Sequence, residues 1–274
     1  MLLKSVQRII PNLPAANSNI TKNFAKIMIC QLCGLEKPLI KAHIIPEFMY
    51  ADLYNDQHRF YEFSIDEIRD GKNLKPFVQI GEFDKNILCA ECDNERLGSL
   101  EKYAQKLLFG QNLNADETPN CTNYDLDGYE FTECTNIDYK KFKLFLLSIL
   151  WRAHITNRLK FSSINLGPHS DKIKNMIWNS NPGDYSDYPI TITSFVRADY
   201  DYKDLILEPR RIKSKSGLNS YIFSIGSFQF MFYVNSSDHK LPEFINHFAL
   251  KEDNFKTVHL KEGMEKVLIK KLTE

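Results

Sequence analysis

The feature that most constrains this chain is a pair of C-x2-C motifs, Cys30/Cys33 and Cys89/Cys92. Two intervening residues let both thiolates of a motif reach one ion from a tight turn. Two such turns complete a tetrahedral four-cysteine site of the kind that holds structural zinc. The competing reading is a pair of fortuitous spacings. Residues 34–88 separate the motifs, more than a compact zinc ribbon needs, so a segment with its own structure sits between them. Paired cysteines in a chain of 274 residues point to metal thiolates in a reducing compartment rather than to a disulfide framework. The remaining two, Cys121 and Cys134, read as free thiols, with a second metal site as the weaker alternative.

Composition narrows the classes further. Hydrophobic residues make up 43% and charged residues 26%, the balance of a globular protein of one large or two small domains. Thirty-five basic against 35 acidic residues give zero net charge. This excludes a nucleic-acid binder that is basic in bulk, but not one with a local basic face. No apolar run approaches the roughly 18 residues of a membrane span: the greasiest stretch, Leu144 to Trp151, contains Ser148. The N-terminal MLLKSVQRII is interrupted by Lys4, Gln7 and Arg8, so it lacks the apolar core of a signal peptide and a cytoplasmic location is expected.

Four segments follow from composition and charge. Residues 1–27 read as an N-terminal extension and 28–110 as a zinc-knuckle domain. Residues 111–139, with seven acids and no Lys or Arg, read as an acidic loop or linker with at most one short strand around Tyr129–Phe131. Residues 140–274 read as a second domain of helices followed by strands, for target or partner binding. In the first domain LIKAHII and FVQIG predict strands, with a polar insertion at about 52–75. Leu97, Leu100, Tyr103, Ala104, Leu107 and Leu108 recur at helical spacing, with Asp93 and Asn94 as candidate N-caps. In the second, YKKFKLFLLSILWRAHIT predicts a buried helix, and SDKIKNMIW another, capped by Ser170 or Asp171. From Pro189 onward YPITITSFV, LILEPRRI, NSYIFSIG and SFQFMFYV predict strands, and KEGMEKVLIKKL a terminal helix. The block 140–160 holds six bases and no acid and reads as a solvated flank, with duplex binding as the functional alternative. His154 reads as a core or interface histidine.

The order C-x2-C, then Lys41-Ala42-His43-Ile44-Ile45-Pro46, then an apolar-Leu-C-x2-C followed at once by Asp93, resembles the zinc-knuckle HNH nucleases. These belong to the His-Me finger, or ββα-metal, group, and the resemblance spans about residues 30–104. It implies an α+β protein with a treble-clef-like ββα-metal domain at its N-terminal end, and hydrolysis of DNA phosphodiester bonds. By the resemblance, His43 is the general base, a role that suits an imidazole's near-neutral pKa. Asp93 is the ligand of a catalytic Mg²⁺ or Mn²⁺, a hard ion that oxygen ligands suit, and Arg96 a phosphate contact. The position before the histidine, often a ligand in that family, is Ala42 here. The family's middle Asn falls near Asp84, with Asn86 as second choice, so Asp84 would position the base or supply the missing ligand. The structural Zn²⁺ falls to Cys30, Cys33, Cys89 and Cys92. The implied partners are double-stranded DNA and an ATPase or sensor subunit or further copies of the chain, as in bacterial phage-defence systems, with no membrane. The other reading is a non-catalytic zinc-stabilised module that binds nucleic acid or protein.

Overall fold

The computed structural model describes residues 27–57, 59, 81–110, 114, 116–126, 128–196, 206–214, 217–235, 240–261 and 263–264. The extension before residue 27, the polar insertion, the FVQIG strand apart from Gly81, and most of the terminal KEGMEKVLIKKL helix lie outside these residues.

The cysteine motifs organise the first part. β1 (Ile27–Ile29) pairs antiparallel with β2 (Glu36–Pro38). Between them Cys30 to Gly34 form a tight turn, in which the Gly34 amide donates to the Cys30 carbonyl at 2.8 Å and the Cys30 amide to the Leu35 carbonyl at 2.9 Å. Gly34 sits at φ +74, a left-handed conformation that glycine adopts without a Cβ clash. The sequence predicts a seven-residue strand around His43; the ordered pairing is shorter. β3 (Ala42–His43) pairs with β4 (Phe83–Asp84), with Ala42 opposite Asp84 and His43 opposite Phe83. Leu39 forms an isolated bridge to Cys89.

The helix after the second motif starts earlier than its candidate caps predict. Glu91–Leu97 are π-helical and run into α1 (Gly98–Phe109), with no side-chain cap at either start. Asp93 therefore lies inside the first wide turn, and its amide donates to the Cys89 carbonyl at 3.0 Å. π-turns inside helices re-aim side chains and recur at functional sites.

The acidic segment is not a loop. β5 (Asn120–Leu126) and β6 (Tyr129–Thr135) form a hairpin at one end of a seven-stranded sheet. The order is β5-β6-β11-β7-β10-β9-β8, with β7 (Ile190–Ser194), β8 (Arg210–Lys213), β9 (Asn219–Ile225), β10 (Phe228–Tyr233) and β11 (Asn254–His259). Every pairing is antiparallel except β11 with β7. Cys121 and Cys134 are directly opposite each other on β5 and β6 and form a disulfide, which overturns their reading as free thiols.

The expected helices are present as α2 (Tyr139–Ile155) and α3 (His169–Trp178). Asp138 caps α2 by accepting from the Lys141 amide at 2.9 Å. α3 follows Pro168 with no side-chain cap, so neither Ser170 nor Asp171 serves. A short α4 (Glu243–Phe248) precedes β11. α2 is buried around its circumference from Phe142 to Ala153. One continuous buried cluster includes Cys30, Ile44, Leu97, Phe145, Trp151, Ile177, Phe223 and Phe255, so both expected domains share a core. Among the described residues, no helix is long and apolar enough to cross a membrane.

Candidate active site beside a four-cysteine centre

The four paired cysteines converge. Their sulfur atoms all lie within 4.8 Å of one another, and the cluster could hold a metal ion. Thiolates bound at about 2.3 Å around one tetrahedral ion sit roughly 3.8 Å apart, which the cluster accommodates. Cys30, Cys89 and Cys92 are buried and Cys33 is half-buried. Burial opposes the Cys30 thiolate, but the backbone around Cys33, Cys89 and Leu32 outweighs it and brings that thiol down to about 7; the Cys89 amide lies 3.4 Å from the Cys30 sulfur. Burial pushes Cys33 up, and burial with the neighbouring Cys30 pushes Cys92 up. A shared cation reverses that repulsion. Four thiolates leave no open position for substrate, so such a centre is structural.

Two ionisable groups on the segments that carry these anchors feel the same pair of charges, Arg152 and Glu101. His43 ends β3, and Asp93 follows Cys92 directly. Arg152, 1% exposed, reaches in from α2. Its guanidinium donates to the His43 carbonyl at 2.7 Å and pairs with Glu101 of α1 at 2.8 Å. It also donates to the Ser148 carbonyl at 3.3 Å. Burial lifts the Asp93 carboxyl to about 6, with Arg152 pulling it back and Glu101 adding to the rise. Burial lowers His43 below the ordinary histidine value; Glu47 and Glu101 raise it, and Lys41 and Arg152 lower it further. Burial thus favours the neutral ring, the form of an imidazole that can accept a proton.

Glu47 is four residues beyond His43, in the short 3-10 helix Glu47–Leu53. Its Oε2 lies 2.7 Å from His43 Nε2. Among the described residues neither atom has a hydrogen-bond partner. Glu47 Oε1 accepts from the Tyr54 hydroxyl at 2.6 Å.

The remaining predicted site residues fall elsewhere. Directly paired residues of an antiparallel ribbon share a face, so Asp84 goes with Ala42 and not with His43. Both Asp84 oxygens are taken: Oδ1 accepts from the Asn86 amide at 2.8 Å and Oδ2 from the Thr156 hydroxyl at 2.7 Å. Asn86 itself is exposed. Arg96 donates to the Trp178 carbonyl at 2.8 Å, and its guanidinium carbon lies 4.2 Å from the indole centroid; it joins the π-helical turn to the end of α3. The basic block does not form one face. Lys143 and Arg152 are buried, Lys141 pairs with Asp138, and Arg158 and Lys160 both pair with Glu82. His154 is half-buried, its Nδ1 3.4 Å from the Ile164 carbonyl and from the Leu166 amide.

Sequence reasoning missed Glu47, Glu101 and Arg152. Glu47 carries a local signal, a carboxylate four residues from the candidate base. Arg152 carries none: it looks like one more charge in a basic run. No protein-family model, no curated protein and no solved structure matches the chain.

Proposed function

We propose that the chain is a metal-dependent endonuclease of the zinc-knuckle HNH type, with His43 as general base and Asp93 as ligand of a divalent ion. The observation that carries this reading is the arrangement around Arg152. A histidine at the end of β3, whose carbonyl accepts from Arg152, and a carboxylate at the start of the π-helical turn both feel the charges of one Arg152–Glu101 pair. The sequential order of β3, β4 and the helix supports it too.

The residues fit the chemistry as follows. The neutral His43 accepts the proton of an attacking water. Arg152 holds the His43 backbone, and Glu101 holds Arg152, which fixes the end of β3 against α1. Asp93 is a part-buried carboxylate whose charge its surroundings disfavour, and a divalent cation relieves that penalty. Such an ion, when bound, supplies charge neutralisation at the scissile phosphate and the leaving oxygen. The four-cysteine centre takes Zn²⁺ and holds both loops in register.

A second reading, the non-catalytic zinc-stabilised binding module, has its own support. Ala42 offers no ligand on the strand side, and Asp84 is committed to Thr156 and the Asn86 amide. Plasmid nicking with Mg²⁺, Mn²⁺ or EDTA separates the two. We expect metal-dependent cutting that falls by roughly 10²–10⁴-fold in His43→Ala and is lost in Asp93→Ala, with zinc content unchanged. Cutting at the wild-type rate in both variants would defeat this site assignment. Absence of cutting by folded, zinc-loaded wild type would leave the binding module.

A further inference from the structure

We propose that Glu47, steadied by Tyr54, is the positioning residue that fixes the tautomer and charge of His43. The role of Glu47 as an orienting carboxylate stands on geometry and is testable without any cleavage; its effect on rate rests on the nuclease reading above.

His43 Nε2 and Glu47 Oε2 are both shut off from solvent, and neither has a hydrogen-bond partner among the described residues. They lie 2.7 Å apart. Two buried polar atoms this close, with no hydrogen-bond partner among the described residues, are costly unless a proton comes to lie between them. A carboxylate only accepts, so the proton belongs on Nε2. That leaves Nδ1 as the lone-pair nitrogen of the neutral ring. The second Glu47 oxygen is engaged by the Tyr54 hydroxyl at 2.6 Å. The carboxylate is thus held at one oxygen by the phenol, and its other oxygen lies against the imidazole.

The position of Glu47 explains why this arrangement forms. Pro46 precedes the 3-10 helix in extended backbone, at φ −54 and ψ 141. Ile44 is tied back to β4 by its amide, which donates to the Glu82 carbonyl at 2.9 Å. The chain therefore leaves β3, is pinned one residue after His43, and turns so that the first residue of the new helix returns to the ring. Neither Asp84 nor Asn86 makes this approach: the first is on the opposite face of the ribbon and the second is exposed.

The chemistry follows from the tautomer. When water is attacked at its O–H bond, the proton passes to Nδ1 and the oxygen keeps the bonding pair. The ring becomes an imidazolium, with its new charge facing the Glu47 carboxylate already in contact through Nε2. Glu47 thus favours the protonated ring, as its upward pull on His43 indicates, while burial, Lys41 and Arg152 oppose it and Glu101 assists. The carboxylate raises the basicity of a ring that its surroundings otherwise make a weak base.

The test uses the full zinc-loaded chain as wild type, Glu47→Gln, Glu47→Ala and Tyr54→Phe. The His43 ring is followed by ¹⁵N-edited NMR from pH 5 to 9, its signals assigned by their loss in His43→Ala. In wild type we expect the proton on Nε2 below neutrality of the ring's titration and above it, with Nδ1 as the titrating nitrogen. In Glu47→Gln the His43 midpoint moves to lower pH and the tautomers mix. Cleavage by Glu47→Ala falls by roughly 10–100-fold, the usual effect of removing an orienting partner, and the acidic limb of its pH profile moves down with the NMR midpoint. Tyr54→Phe shifts both readouts the same way by less. An unchanged tautomer and midpoint in Glu47→Gln, with zinc content intact, overturns the proposal. Should wild type cut nothing, the nuclease reading fails while the NMR measurement still decides the role of Glu47.

Discussion

Helix α2 carries a buried cation towards each end, and the two are satisfied in different ways. Arg152, near the C-terminal end, pairs with the Glu101 carboxylate and donates to two carbonyls. Lys143, near the N-terminal end, donates to the Tyr139 hydroxyl at 3.0 Å and to the Asp184 carbonyl. The Asp187, Asp184 and Glu252 carboxylates favour its charged form, with no ion pair to it among the described residues. Burial is the larger influence and lowers its amine to about 8. The same helix thus presents a guanidinium held in an ion pair and an ammonium whose grip on its proton is weakened by burial. The difference follows from the side chains: a guanidinium spreads its charge over five donors and is weakly hydrated, whereas an ammonium is a compact, strongly hydrated charge whose pKa moves when water is removed.

That contrast can be broken at either end. The largest effect is expected from Arg152→Met, which strands Glu101 and the His43 carbonyl. Loss of one partner of a buried pair costs about 3–5 kcal/mol, and about 3 is expected here because Glu101 keeps some contact with water. Urea unfolding measures it, and Arg152→Lys should recover only part, since one ammonium cannot serve a carboxylate and two carbonyls in a fork. Lys143→Met should do much less, within about 1.5 kcal/mol in either direction, because relief of desolvation offsets the lost hydrogen bonds. A cost equal to that of Arg152→Met would erase the distinction. The smallest effect is in the pH curve. The folded state releases the Lys143 proton from about 8, the unfolded chain only near 10.5. Between those values the unfolded chain binds more protons, so stability contributed through this group rises with pH over that window. Wild type should show the rise and Lys143→Met should lack it.

The two halves were unequally legible in the sequence. Helix α2 was legible because eight consecutive positions from Leu144 to Trp151 are almost all apolar, and strands β7, β9 and β10 because β-branched and aromatic residues dominate them. The β5–β6 hairpin was not legible. All seven residues of β5 are exposed, so the strand shows no alternation of buried and exposed positions, and its Asn, Asp and Thr content mimics a loop. What makes its neighbour part of the sheet is β11, more than a hundred residues further on, a pairing that local pattern does not encode. The disulfide was hidden for the same reason: Cys121 and Cys134 become partners only once the hairpin register sets them opposite each other. At the candidate site, the motif spacing picked out the four cysteines that converge. It misplaced the supporting groups, because Asp84 was chosen by its distance along the chain and the strand pairing puts it on the far face. Arg152 was concealed by its neighbours in a basic run, where only packing separates a buried guanidinium from a solvated one.

Lys143 and Arg152 are nine residues apart, which in an α-helix is two and a half turns and about 13.5 Å of rise. They leave the helix on opposite sides, which is why α2 needs partners all round. Their relative phase is set by residue count alone. Inserting or deleting a single residue between them would rotate one cation by about 100° with respect to the other and tear it from its oxygens, whatever residue was chosen. The interval from Lys143 to Arg152 is therefore a fixed-length segment of this chain, tolerant of exchange at some positions but not of a change in number, and length variation has to be taken up in the turns beyond its ends.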